Sequence, residues 1–272
     1  MKNNLSEWIK PLRILPCLSG FLGVISCWGI IINRINQIAL YSSLECFWVL
    51  MSIMLINNYV DRHHDAKKNP PNNFALQNEN IFFWYVTIFW IIECFFILLL
   101  SRISTSLALL ASTRAVIGFS YSWARKIPLA PGVLVPATYV LCLITPVLFG
   151  KTSFILWLFI LSIAFILYSY EIIKDIEDEA TDRINNYKWT IAARWGNSKA
   201  KDITRFTLTC AALVLLMFSG FSYSKLQSLG SLLYACLLLL SALRIKSHLV
   251  SSKKLVQVGM ACFLLVMVLS YS

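Results

Sequence analysis

Charge is what this sequence has least of. Charged side chains make up 14% of the chain, whereas a soluble domain carries roughly a quarter. With 58% apolar residues and a mean hydropathy of +0.69, that scarcity excludes a soluble globular domain. Several apolar stretches reach the ~20 residues that cross a bilayer as a helix. An all-α, polytopic membrane protein is expected. Acidic groups are the scarcer kind, 13 Asp and Glu against 24 Lys and Arg. In a membrane protein such an excess marks cationic loops on the cytoplasmic side, so no nucleic-acid partner is expected. Metal-type cysteine spacing is missing too. Each of the eight cysteines falls in an apolar stretch, which predicts small core residues and neither a disulfide framework nor a zinc site. No low-complexity tract is present. The first apolar stretch, behind Lys2, Lys10 and Arg13, is too long for a signal-peptide core and lacks a clear cleavage site, so it reads as the first membrane helix.

Nine spans are expected, over 12–32, 38–57, 80–100, 103–121, 132–149, 153–173, 205–222, 228–244 and 255–271. They form a single integral-membrane domain across 1–272. Two connections are long and polar, 58–79 and 174–204. With the N-terminus inside, the inside segments hold 19 of the 24 Lys and Arg, and the outside segments hold only Arg34, Arg102, Lys151 and Lys225. This asymmetry predicts a cytoplasmic N-terminus and places both long loops on the cytoplasmic face. Pro70 and Pro71 break any helix running on from the first long loop. In the second, Thr190 to Trp195 predicts a helical turn closed by Gly196. Three charges fall inside spans: Glu45, Glu93 and Arg114. Arg114 either lines a cavity or makes a structural pair with one of the two glutamates.

The few acidic residues are clustered. In Asn57-Asn58-Tyr59-Val60-Asp61-Arg62-His63-His64-Asp65, the residues Asn57, Asp61 and Asp65 recur every fourth position and share one helix face. In the run from Lys174 to Asp182, Asp175, Asp178 and Asp182 follow an i, i+3, i+7 pattern and do the same. Carboxylates stacked this way repel unless a cation lies between them. Hard oxygen ligands suit Mg²⁺, which takes one or two carboxylates, several waters and substrate phosphates. Two clusters on one side of the membrane could therefore hold a diphosphate through Mg²⁺. The plain alternative for either cluster alone is a solvated loop. His63 and His64 point off the shared face and read as bystanders.

These motifs resemble the UbiA superfamily of intramembrane prenyltransferases. Asn57, Asp61 and Asp65 match its first motif, with Asn58 where many members have Asp, and Asp175, Asp178 and Asp182 match its second. Tyr121-Ser122 followed by Lys126, and Asp182-Arg183 followed by Thr190, Arg194 and Gly196, match as well. The stretch Glu171 to Asp178 is similar to enzymes that prenylate geranylgeranylglyceryl phosphate. The first motif also looks like haem O synthase, whose second region is absent. The sequence departs from the family pattern after the first motif, where Pro71-Asn72-Asn73 stands in place of Arg-Pro, and at Thr181, where Gly is common.

The resemblance implies nine helices around a central cavity, and Mg²⁺-dependent ionisation of an isoprenyl (allylic) diphosphate. The cation is then captured by a lipophilic or aromatic acceptor within the membrane. Asn57, Asp61, Asp65, Asp175, Asp178 and Asp182 would be the metal and catalytic residues. Basic side chains beside them would hold the diphosphate: Lys67, Lys126, Lys174, Arg183 and Arg194. Tyr121, Tyr168 and Tyr170 would line the cavity and stabilise the cation through their π faces, unless they are interfacial belt residues. Membrane lipid is the surrounding partner, and a bacterial inner membrane the expected location. Two other readings remain open: a terpene synthase of the same superfamily that cyclises the diphosphate without an acceptor, and a non-catalytic transporter.

Overall fold

The computed structural model describes residues 9–68, 74–185 and 188–271, except the side chains of 65–68, 125, 131 and 181–185. The described residues are helical, with no strand. In chain order the helices are α1 (Ile14–Ile32), α2 (Gln37–Lys68), α3 (Phe74–Gln77), α4 (Glu79–Ile103), α5 (Thr105–Tyr121), α6 (Ala130–Leu143), α7 (Phe154–Asn185), α8 (Ile191–Trp195), α9 (Asn197–Phe221), α10 (Lys225–Arg244) and α11 (Leu249–Leu269). Short polar residues start several of them by satisfying a backbone N–H that has no partner within the helix. Asn36 Oδ1 accepts from Ala39 N at 2.7 Å, Ser153 Oγ from Leu156 N at 3.1 Å, and Ser224 Oγ from Gln227 N at 3.1 Å.

Among the described residues, eight helical segments are long and apolar enough to cross a membrane. With its sequence pattern this makes the chain an integral, multi-pass membrane protein. The expected span over 103–121 forms the 17-residue α5, at the short end of the lengths that cross a bilayer. The eight-cysteine expectation needs correction. No disulfide forms, but Cys94, Cys236 and Cys262 are exposed on helix surfaces and are not core residues. Lipid tails are as apolar as a core, so an apolar run does not by itself say which of its sides faces lipid.

Burial orders the helices. The spans containing α1, α2 and α7 are each 61% buried, while that of α4 is 17% buried, so the first three form the middle of the bundle and α4 its outer wall. Both α2 and α7 have 32 residues, which at 1.5 Å per residue makes each about 48 Å long. The hydrocarbon core is only ~30 Å thick, so each of these helices must extend beyond it. Both acidic segments lie on those C-terminal turns.

The helices approach closely where small residues allow it. A Cβ at Gly118 on α5 would overlap the Ile53 side chain on α2. Polar contacts lock further seams: the Tyr139 hydroxyl on α6 donates to the Pro16 carbonyl on α1 at 3.0 Å, and Ser169 on α7 meets Thr207 on α9 at 2.6 Å. The intramembrane charges form a cluster. Arg114 on α5 is ion-paired with Glu45 on α2, both fully buried, and also donates to the Leu141 carbonyl at 3.2 Å. Glu93 on α4 is fully buried beside them. Arg114 is thus a structural residue and does not line the cavity described next.

Candidate active site

A cavity of about 580 Å³ opens among α1, α2, α6, α7 and α11. Its two ends differ in chemistry. The interior turns of the helices supply apolar walls, including Ile53, Met54, Val135, Ile166 and Met260. The ends of α2 and α7 supply Asn57, Glu171, Lys174, Glu177 and Asp178, joined by Arg13 and Tyr121. A tail that avoids water and a head that needs charge can both be met here.

The first acidic segment is held in place by its neighbours. Asn57 lines the cavity and its Oδ1 accepts from Ser122 Oγ at 3.3 Å. Asn58 turns the other way and donates to the Pro11 carbonyl at 2.9 Å. Asp61 is half-buried one turn on, outside the cavity lining. Arg62 stacks over the Tyr59 ring at 4.1 Å and pairs with Glu79, which fixes the helix against α4.

On α7 three of the acidic side chains meet lysines. Glu171 pairs with Lys174 at 3.3 Å, Asp175 with Lys188 at 2.6 Å, and Glu177 with Lys253 of α11. Asp178 lines the cavity. Asp175 is buried and stands outside the lining. Burial acts to lower the Lys188 ammonium, but Tyr121, Asp175 and Glu171 around it outweigh that and raise it above the ordinary lysine value. The segment carrying Lys188 folds back because Thr190 caps α8, accepting from Ala193 N at 3.0 Å, and Gly196 ends it at φ +84°. Ile191 and Ala192 then pack on Ile172 and Ile176 of α7.

Of the remaining expected site residues, Tyr121, Tyr170 and Lys174 line the cavity. Tyr168 is half-buried, Lys126 and Arg194 are exposed, and none of the three is in its lining. The side chains of Asp65, Lys67, Asp182 and Arg183 lie outside the described ones. The sequence reading missed Arg13, Glu171, Lys253 and Gln257 as lining residues and Lys188 as a partner of the acidic face. Only Glu171 had a signal in the sequence, standing one turn before Asp175 on the same face.

The donor set fits a hard divalent cation. At the charged end Asn57, Glu171, Glu177 and Asp178 offer oxygen donors, as Mg²⁺ prefers. The described residues contain no group of three or more His, Cys, Asp or Glu that could hold an ion by themselves.

The sequence model of the UbiA prenyltransferase family matches residues 14–268. The chain belongs to this family. No protein of curated function matches it. Its fold is shared with solved UbiA homologues. One from Aeropyrum pernix K1, in its apo form, has a TM-score of 0.72 at 14% identity, over 94% of this chain and 95% of that one. One from Archaeoglobus fulgidus bound to GPP and Mg²⁺ has a TM-score of 0.70 at 16% identity, over 96% and 99%. A digeranylgeranylglyceryl phosphate synthase has a TM-score of 0.68 at 17% identity, over 98% of each chain.

Proposed function

We propose that this UbiA-family protein transfers an isoprenyl group from an allylic diphosphate to a lipophilic or aromatic acceptor in the membrane, with Mg²⁺ as cofactor. The observation that carries this reading is that one cavity receives Asn57 from the first acidic segment and Asp178 from the second, with apolar walls behind them. The Mg²⁺-bound A. fulgidus homologue supports the cofactor. Asn57 at the cavity wall, with Asp61 one turn on, would hold the ion from α2, and Asp178 from α7. When bound, Mg²⁺ neutralises charge on the departing diphosphate oxygens.

The rest follows from this chain's own groups. Lys174 attracts the anionic head, and the apolar walls bury the isoprenoid tail, which also keeps water from the reactive carbon. The allylic C–O bond breaks and its electron pair leaves on the diphosphate. Tyr121 and Tyr170 turn their π systems to the carbocation left behind. The acceptor's electron pair then forms the new bond to that carbon, and the acceptor gives up a proton. Both acidic segments and the N-terminus are on the cytoplasmic side, in keeping with the distribution of Lys and Arg.

The test incubates membranes containing the protein with farnesyl or geranylgeranyl diphosphate and Mg²⁺, with and without a panel of acceptors, and reads the products by mass spectrometry. A prenylated product that requires one acceptor supports transfer and names the acceptor class. A terpene formed without acceptor replaces this reading with cyclisation. Unchanged diphosphate under every condition overturns both.

A further inference from the structure

Three lysines neutralise the acidic face of α7, and they come from three places: Lys174 from α7 itself, Lys188 from the segment that follows it, and Lys253 from α11. Lys253 differs from Lys188 in where it points. Lys188 is packed against buried Asp175 outside the cavity lining, whereas Lys253 lines the cavity. Its Nζ stands 5.9 Å from the centre of the Tyr170 ring while pairing with Glu177. The side chains of Lys253 and Glu177 keep 25% and 28% exposure, so this pair, unlike the buried one, can exchange partners at little cost. One turn deeper on α11, Gln257 faces the same cavity, and its amide adds a donor below the ammonium.

Resting on the proposed function, we infer that Lys253 binds a phosphoryl group in the cavity mouth, and that Glu177 is the counterion it gives up when that group arrives. A phosphoryl oxygen carries more charge than a carboxylate and accepts stronger charge-assisted hydrogen bonds. Glu177, once released, turns to solvent. The Tyr170 face keeps the lysine stem aimed into the cavity through the exchange. The phosphoryl group belongs either to the diphosphate of the donor or to a phosphate headgroup on the acceptor. Both present the same chemistry to an ammonium.

Calorimetry on the full chain in lipid nanodiscs with Mg²⁺ present tests this, with inorganic pyrophosphate and glycerol phosphate as probes. Lys253→Met should weaken binding of one probe about ten- to a hundredfold, while Lys253→Arg stays within a few-fold of the unmodified protein. Glu177→Gln should tighten the same probe about two- to fivefold, because it removes the competing carboxylate. A bridge that only holds α11 to α7 would instead make Lys253→Met and Glu177→Gln equally harmful. An effect on pyrophosphate assigns the group to the donor, and an effect on glycerol phosphate alone assigns it to the acceptor; either supports the site. If the unmodified protein binds pyrophosphate and neither probe responds to Lys253→Met, the inference fails while the proposed function stands. If the unmodified protein binds neither probe, both fall.

Discussion

Lys188 donates to Asp175 across 2.6 Å, and both side chains are largely withdrawn from solvent, at 13% and 5% exposure. The contact fastens the segment before α8 onto the acidic face of α7. Lys188→Met would leave the Asp175 carboxylate buried and unmatched, which costs about 3–5 kcal/mol. A fall in thermal midpoint of the detergent-solubilised protein would register it, and Asp175→Asn added to Lys188→Met should recover part of the loss. The ammonium is raised above the ordinary lysine value in the folded state. Its contribution to stability is therefore complete below about pH 10, and it is lost only as pH rises through the raised value.

The Arg114–Glu45 pair within the bundle should behave the same way in a drier setting. Arg114→Met leaves two buried glutamates with no cation, so a loss of about 3–5 kcal/mol or more is expected. The melting temperature and the yield of monodisperse protein would show it. Arg114→Met combined with Glu45→Gln should be markedly more stable than Arg114→Met alone. Equal stability of the two would mean that the unmatched Glu45 carboxylate carries no penalty.

Turnover should depend on both acidic segments. Asp61→Ala and Asp178→Ala are each expected to lower the rate about a hundredfold or more, as for removal of one group that stabilises charge in a transition state. Chelation of divalent ions should have the same effect on the unmodified protein, reversed by added Mg²⁺. Full activity in either variant would remove that carboxylate from the metal assignment.

The orientation can be read by labelling. In sealed vesicles with the cytoplasmic face inside, a cysteine placed by Lys151→Cys should react with an impermeant maleimide, and one placed by Lys199→Cys should not. The opposite pattern would put both acidic segments on the other side of the membrane.

Gly118 gives a steric test. Gly118→Val drives a side chain into Ile53, and overpacking of this kind costs about 1–3 kcal/mol. Because Ile53 lines the cavity, the preferred length of the isoprenyl donor should shift as stability falls. A stability loss with an unchanged donor preference would show that Ile53 moves elsewhere.

The helices and the acidic segments were legible in the sequence, because apolar runs and i, i+4 spacing are local signals. The inward-facing members of the α7 cluster were not. Asp175 and Asp178 look equivalent by spacing, yet Asp175 is engaged by Lys188 from thirteen residues downstream and only Asp178 lines the cavity. Arg13 and Lys253 come from opposite ends of the chain with nothing nearby to mark them. A lysine at the end of a span reads as a topology signal, and only the packing of α11 beside α1 and α7 turns it towards a cavity.

That same packing has a consequence for how the protein is made. Arg13 stands just ahead of α1, Lys253 belongs to α11, and both border one cavity. A nascent chain that has already released both acidic segments owns the two halves of the site but not the wall that encloses them. Closure waits for α11 to be synthesised and inserted, so until then the apolar interior stays open to lipid.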